Sequence, residues 1–174
     1  MRAALTVLVL LILVGLVALM WWGYRNRRKR QAHLPALPAA PEALLAKVRA
    51  GTADDLIPPS TGVYASTVTD ASWQDRVGAG DVGFRADATA HLLAEGLLFD
   101  RTGAQPVWIP KESVLDARTA PGIAGKVMGR DGLLVVRWRV DGQEFDTGFR
   151  ADDKDDYQTW VPALRSLTGG PHED

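Results

Sequence analysis

Several residue types that enzymes use for chemistry are scarce in this sequence of 174 residues. It contains no cysteine, which excludes a disulfide framework, thiolate metal sites and a cysteine nucleophile. The three histidines, His33, His91 and His172, do not stand in a metal-ligand spacing. None of the five serines lies in a G-x-S-x-G motif. We therefore predict no catalytic residue, no metal site, no cofactor and no enzyme.

Charge is absent from one long segment, residues 3–24. Residues 3–22 are predominantly apolar, and a helix of that length spans about 30 Å, the thickness of a bilayer's hydrocarbon core. Trp21, Trp22 and Tyr24 follow at its end, where aromatic rings favour the membrane interface. A cleaved signal peptide would have a shorter apolar core, basic residues before it and a small-residue cleavage site after it. The segment therefore predicts an uncleaved transmembrane anchor.

Basic residues are concentrated directly after this segment. The five are Arg25, Arg27, Arg28, Lys29 and Arg30. Only Arg2 and the α-amino group precede the segment, so the positive-inside rule predicts a single-pass protein with its C-terminal domain in the cytoplasm. The same residues are expected at the membrane interface, where each is worth about 1 kcal/mol near anionic lipids.

Acidic residues outnumber basic ones in the rest of the chain. Residues 31–174 carry 14 Lys and Arg against 21 Asp and Glu. A protein surface of that net charge has no general attraction to phosphate, so we expect no nucleic-acid partner.

Proline and glycine divide the chain into predicted regions. The transmembrane helix occupies residues 1–24, and residues 25–60 hold the basic segment, a stiff Pro/Ala linker and a short helix within residues 41–51. A folded domain is predicted over residues 61–168, and residues 169–174 form a tail. The Pro58-Pro59 pair marks the expected start of the domain.

The folded domain has mainly the periodicity of β-strands. Strands are predicted at residues 62–68, 107–109 and 113–118, with a hairpin at residues 90–100. The clearest hairpin joins residues 133–140 to residues 144–149 through the Asp141-Gly142 turn. In its first strand, Leu134, Val136, Trp138 and Val140 are expected inside and Arg137 and Arg139 outside. In its second strand, Phe145, Thr147 and Phe149 share one side.

A helical pattern follows the strands. Tyr157, Trp160, Val161, Leu164 and Leu167 have the spacing of one helix face. Pro162 conflicts with a continuous helix, so a start just before Trp160 after a separate turn is an open alternative. The predicted fold class is mainly β with a C-terminal α-helix that closes one end of a small barrel or sandwich.

Three motifs resemble ligand loops but lack the context that such loops need. Residues 78–83 fit G-x-G-x-x-G, yet the polar residues before them do not form the required buried strand. Residues 122–126 lack the first Gly and the final Ser or Thr of a phosphate loop. The acidic run 152–156 has the wrong residues for a calcium loop and suits the start of a helix.

Polar residues that suit an interaction surface remain. Asp75, Arg76, Asp146 and Arg150 could supply carboxylates and guanidinium groups to one polar cleft, which leaves an enzyme as a third hypothesis if they converge. As candidate interaction residues we take these four together with Arg85, Trp108, Lys126, Arg137 and Arg139.

The order of several motifs resembles a known family. They are residues 73–77, 83–85, 96–101, 108–110, 122–126, 132–138 and 146–150. Together with the anchor and the final helix, they are similar to the small actinobacterial membrane proteins that carry an N-terminal anchor and a PH-like (pleckstrin-homology-like) domain. Such proteins are often labelled as export or transporter proteins.

The resemblance implies a seven-stranded, bent antiparallel barrel closed by the C-terminal helix. In many PH-like domains a basic loop after the first strand binds phosphoinositides. Here that loop, residues 68–83, is acidic, so a protein partner is the expected ligand and membrane lipid is contacted through the anchor. The predicted function is a membrane-anchored, non-catalytic binding or scaffold protein. The alternative is an accessory subunit of a membrane export or transport complex, since one span cannot form a pore.

Overall fold

The structure is a computed structural model that describes residues 12–23, 35–69, 72–76, 81–123, 126–127 and 132–167. For residues 72–76 and 126–127 it describes the backbone alone. The chain divides into two compact units, residues 1–34 and residues 35–174.

The described part of the first unit is a helix, α1, over residues 12–23, whose side chains are exposed. Trp21 and Trp22 lie in its last turn. The other expected membrane-interface residues, Tyr24, Arg25, Arg27, Arg28, Lys29 and Arg30, lie outside the described residues. Within the described part of the chain, no helix combines the length and the apolar character needed to cross a membrane.

In the residues that the structure describes, the second unit contains two further α-helices and ten strands. The helices are α2 (Glu42–Arg49) and α3 (Asp156–Leu167). The strands are β1 (Ser60–Thr69), β2 (Ser72–Arg76), β3 (Ala86–Leu93), β4 (Gly96–Arg101), β5 (Val107–Pro110), β6 (Val114–Ala120), β7 (Gly122–Ile123), β8 (Lys126–Val127), β9 (Leu133–Val140) and β10 (Gln143–Ala151).

Seven of the strands form one antiparallel path in the order β5-β4-β3-β1-β10-β9-β6. β2 pairs with β1 beside this path, and β7 pairs with β8. The described pairings leave β5 and β6 at opposite edges, so the expected closed barrel is replaced by an open sheet. Pro110 ends β5 and a 3-10 turn, Lys111–Ser113, leads into β6, so these consecutive strands do not continue into a shared hairpin.

The inner face of the sheet carries the aromatic core. Tyr64, Phe99 and Phe149 form a chain of ring contacts, and Trp138 lies against Phe145 with ring centroids 5.0 Å apart. The Nε1–H of Trp138 donates a hydrogen bond of 2.9 Å to Thr147 Oγ1, which satisfies the buried indole. Phe145, Thr147 and Phe149 are all buried, which confirms the prediction that they share one side of their strand.

Helix α3 packs Tyr157, Trp160 and Leu164 against this core, which confirms the predicted C-terminal helix. It begins at Asp156 and continues through Pro162 to Leu167, so the alternative start just before Trp160 is wrong. The N–H of Ala151 donates to the Tyr157 hydroxyl at 3.0 Å, and burial raises the pKa of this phenol. The first turn of α3 is thereby tied to the end of β10.

The β9–β10 hairpin forms as predicted, with Asp141 and Gly142 at positive φ in its turn. Burial on β9 differs from the prediction, however. Leu133 and Val135 on the outer face are buried as well, because they cluster with Ile123 of β7 and Val68 of β1. Gly148 lets Ile123 approach this closely, since a Cβ there would lie 2.9 Å from its Cγ2. Val140, expected inside, is only half-buried.

Helix α2 covers the outer face of the other half of the sheet. Its Val48 packs against Leu93, Leu98 and Trp108, together with half-buried residues of the preceding segment. The segment before Thr61 therefore contributes a hydrophobic cluster to the sheet, in addition to the short helix that the sequence predicts.

Candidate functional site

A carboxylate shared by two arginines lies on the outer face of β6, β9 and β10. Arg137 Nε donates to Asp146 Oδ1 at 3.0 Å, and its Nη2 donates to Oδ2 at 3.2 Å. Arg118 Nη2 donates to the same Oδ2 at 2.7 Å. The Asp146 side chain is 13% exposed, whereas the two arginines are about one-third exposed, at 34% and 36%. We name Arg118, Arg137 and Asp146 the arginine–aspartate cluster.

The electrostatics of this cluster favour an ionised carboxylate. Burial alone would raise the pKa of Asp146, but the hydrogen bonds and charges of Arg137 and Arg118 outweigh burial and lower that pKa below its usual range. A carboxylate held in this way is a poor proton acceptor at neutral pH. The cluster is therefore suited to positioning charge, and general base catalysis is disfavoured.

Two further ion pairs extend this charged surface. Arg139 pairs with Glu144 on the neighbouring strand. Arg165 of α3 donates through Nε to Asp116 Oδ1 of β6 at 3.1 Å. Positive and negative side chains therefore alternate across β10, β9, β6 and α3.

A groove of about 620 Å³ runs between β6 and α3 beside this surface. Its lining consists of Arg118, Thr119, Lys154, Tyr157, Gln158, Val161, Pro162 and Arg165. All three charged side chains in this lining are basic. We name this the β6–α3 groove.

A fully buried arginine, Arg101, holds the turn that precedes β3. The Arg101 side chain has no exposed surface, and its guanidinium pairs with the Asp81 carboxylate. Its Nε donates to the Gln105 carbonyl at 2.6 Å, and Nη1 donates to the Asp81 carbonyl at 3.1 Å. The guanidinium carbon also lies 4.7 Å from the centre of the Tyr64 ring, whose pKa is raised by burial.

This arginine therefore fixes the turn at residues 81–84. Phe84, in that turn, is 65% exposed, and Arg85 beside it is exposed as well. A groove of about 550 Å³ adjoins them. Another groove, of about 730 Å³, lies between the segment at residues 36–45 and the β5 edge.

The fold brings together only some of the candidate interaction residues. Arg137 and Asp146 are in direct contact, and Arg139, two residues along β9 from Arg137, forms a separate ion pair with Glu144. Arg150 is exposed four residues further along β10, about 13 Å from Asp146 at the rise of a strand. Trp108 is 6% exposed because it packs beneath α2.

The remaining candidates lie on backbone that the structure describes without side chains. Asp75 and Arg76 belong to β2, and Lys126 belongs to β8. In the strand register, Arg76 and Asp146 both pair with Val68 from opposite sides.

Sequence reasoning missed Arg118, Asp116, Arg165 and Arg101. Arg118 and Asp116 are two residues apart, which is the spacing of one strand face. The local sequence does not show, however, that β6 pairs with β9 and thereby brings Arg118 close to Asp146. Arg101 follows an apolar strand and gives no signal of burial. Among the described residues, no three His, Asp or Glu side chains are grouped closely enough to hold a metal ion.

The fold can now be compared with known proteins. A family model described as "Bacterial PH domain-like" matches residues 34–165. Comparison with curated proteins gives no match. Among solved structures, the chain is similar to one described as "Vav1 inhibited by an allosteric inhibitor: Vav1 inhibitors block GEF activity", at 13% identity and a TM-score of 0.39. The match covers 72% of this chain and 29% of that chain, and we draw no functional argument from it.

Proposed function

Because the chain belongs to the bacterial PH domain-like family, we propose that it is a membrane-anchored, non-catalytic module that binds a protein partner on the cytoplasmic side of the membrane. PH-like domains are generally binding modules for lipids or proteins. The membrane attachment, its orientation and the choice of a protein partner are the parts of this proposal that go beyond the family.

The observation that carries the proposal is the arginine–aspartate cluster. Its carboxylate is saturated by two guanidinium groups, and the pKa of Asp146 is lowered, which opposes a role in proton transfer. Across the described residues, every buried side-chain nitrogen and oxygen has a hydrogen-bond partner. A carboxylate that two guanidinium groups hold in its ionised form presents fixed charges at the surface, so this pattern favours a binding surface.

The anchor is supported by the sequence. Residues 3–24 are free of charge, and five basic residues follow within six positions. Alkaline carbonate extraction of membranes should leave the full-length chain in the membrane fraction, whereas removal of residues 1–24 should release it. A cytoplasm-dependent reporter fused after Asp174 should be active; activity only of an export-dependent reporter would contradict the proposed orientation.

The binding role can be tested by affinity purification of the full-length chain from native membranes after chemical crosslinking. We expect one saturable protein partner that is absent when an unrelated domain is fused to residues 1–34. A domain that stays monomeric and captures nothing above this control would refute the proposal. If the crosslinked partner is a multi-span export or transport protein, the accessory-subunit alternative is supported.

A further inference from the structure

Phe84 presents an aromatic ring to solvent beside a groove. Its side chain is 65% exposed, and among the described residues after position 34 the only other exposed large apolar side chain is Leu56. The groove has a volume of about 550 Å³, and its lining includes the small residues Ala86, Gly103 and Ala104. Aromatic side chains that enter such spaces commonly contribute most of the binding energy of an interface. We name Phe84, this groove and its charged rim residues, Arg85 and Asp87, the Phe84 surface.

The turn that carries Phe84 is held in place from inside the protein. Every carbonyl oxygen of residues 81–84 accepts a hydrogen bond from a buried side chain. Arg101 Nη1 donates to the first and the last at 3.1 and 3.4 Å, the Tyr64 hydroxyl donates to the second at 2.8 Å, and Ser66 Oγ donates to the third at 3.3 Å. Because these bonds fix the backbone, the ring of Phe84 loses little conformational freedom when it binds. An aromatic side chain held in this way is suited to an interface.

The charges of the Phe84 surface are complementary to those of a second copy. Arg85 and Asp87 are exposed, and among the residues that the structure describes neither has an ion-pair partner. Asp81, which also lines the groove, is already paired with Arg101. Arg85 and Asp87 are two positions apart, so their Cα atoms lie about 7 Å from each other and their side chains point to the same side. A two-fold axis between them places each arginine opposite the aspartate of the other copy, and both ion pairs form together.

A membrane surface fits these charges less well than a second copy does. The charged residues of the segment 70–87 are Asp70, Asp75, Asp81 and Asp87 against Arg76 and Arg85. Anionic lipids attract polybasic segments, so this acidic segment is not drawn to a bilayer. The proposed anchor would in addition confine copies of the chain to one membrane and raise their effective concentration. An interface made of one ring and one ion pair from each copy can therefore form although it is small.

From these observations we infer that two copies of this chain associate through their Phe84 surfaces. Phe84 of each copy enters the groove of the other, and Arg85 of each copy pairs with Asp87 of the other across a two-fold axis. This self-association goes beyond the proposed binding of a separate protein partner. It also uses other residues than the arginine–aspartate cluster, so the two surfaces can be tested independently.

The first test uses the full-length chain in native membranes, with a photoreactive phenylalanine in place of Phe84 or of Leu56. The replacement keeps an aromatic ring at position 84, and Leu56 is the matched control because it is 53% exposed. We expect an adduct of two copies at position 84, attached within residues 84–87 or 102–104 of the second copy. The yield of this adduct at position 56 should be lower by about fivefold or more. No adduct at position 84, an adduct there only with another protein or with lipid, or equal yields at both positions would overturn the inference.

Charge reversal tests the pairing across the two-fold axis. Arg85→Asp or Asp87→Arg alone places like charges opposite each other in both pairs, so each should lower the yield of the adduct at position 84 by about five- to tenfold. The double variant restores opposite charges and should restore the yield. A mixture of the two single variants, each with its own tag, should restore it as well, because each arginine again faces an aspartate. Lys111→Asp reverses another exposed charge and should leave the yield unchanged.

The outcomes separate this inference from the proposed function. If neither the double variant nor the mixture restores the yield, the two-fold pairing of Arg85 with Asp87 is wrong. If no adduct of two copies forms but affinity purification recovers a separate partner, the inference fails and the proposed function stands. If the adduct of two copies forms and no separate partner is recovered, the inference stands and the proposed binding of a separate protein fails.

Discussion

Replacing Asp146 with Asn tests the arginine–aspartate cluster most directly. The substitution keeps the size of the side chain and removes the charge that accepts bonds of 2.7, 3.0 and 3.2 Å from Arg118 and Arg137. Partly exposed ion pairs are worth about 0.5–1 kcal/mol each, and the remaining arginines would repel one another. We therefore expect Asp146→Asn to lower the free energy of unfolding by about 1–2 kcal/mol at pH 7.

The pH dependence follows from the direction of the pKa shift. An unfolded Asp has a pKa of about 3.9, and Asp146 in the folded chain has a lower one. The stabilisation by its charge is therefore complete well above pH 3.9 and is lost as the pH falls through the folded pKa. The difference between wild type and Asp146→Asn should consequently shrink as the pH is lowered from 7 towards 3.

The assay is urea unfolding of the full-length chain in a mild non-ionic detergent, followed by tryptophan fluorescence across this pH range. Exposed Asp54→Asn is the matched control, with the same chemical change and an expected effect below about 0.5 kcal/mol. The reasoning is refuted if Asp146→Asn and Asp54→Asn have the same effect at pH 7, or if the effect of Asp146→Asn does not depend on pH.

Three further substitutions test the packing around the site by urea unfolding. Asp81→Asn leaves the fully buried Arg101 guanidinium without its carboxylate, so we expect a loss of about 3–5 kcal/mol; a loss below 1 kcal/mol would contradict the assigned pairing. Gly96→Ala should cost at least about 2 kcal/mol, because φ is +150° and the new Cβ would lie 2.3 Å from the Ile109 carbonyl oxygen. Pro162→Ala should stabilise the chain by about 1–2 kcal/mol, since it restores an N–H for the Gln158 carbonyl; an unchanged midpoint would show that the helix already compensates.

Local pattern alone predicted the elements whose stability is decided within a few neighbouring residues. The 3.6-residue spacing from Tyr157 to Leu167 predicted α3, and alternating residues around Asp141-Gly142 predicted the β9–β10 hairpin. The composition of residues 3–30 likewise predicts an anchor and its orientation, and that prediction stays open to the membrane tests above.

The tertiary structure decided the rest, because it depends on contacts between distant segments. Arg118 and Asp146 are 28 residues apart in the sequence. Their side chains meet because β6 and β10, which carry them, lie on either side of β9 in the sheet. Leu133 and Val135 are buried because β7 folds onto their face, and β6 remains an edge because the sheet stays open. The periodicity of a sequence predicts which residues lie on each face of one strand. Which other strands and helices pack against that face depends on the tertiary fold of the whole chain.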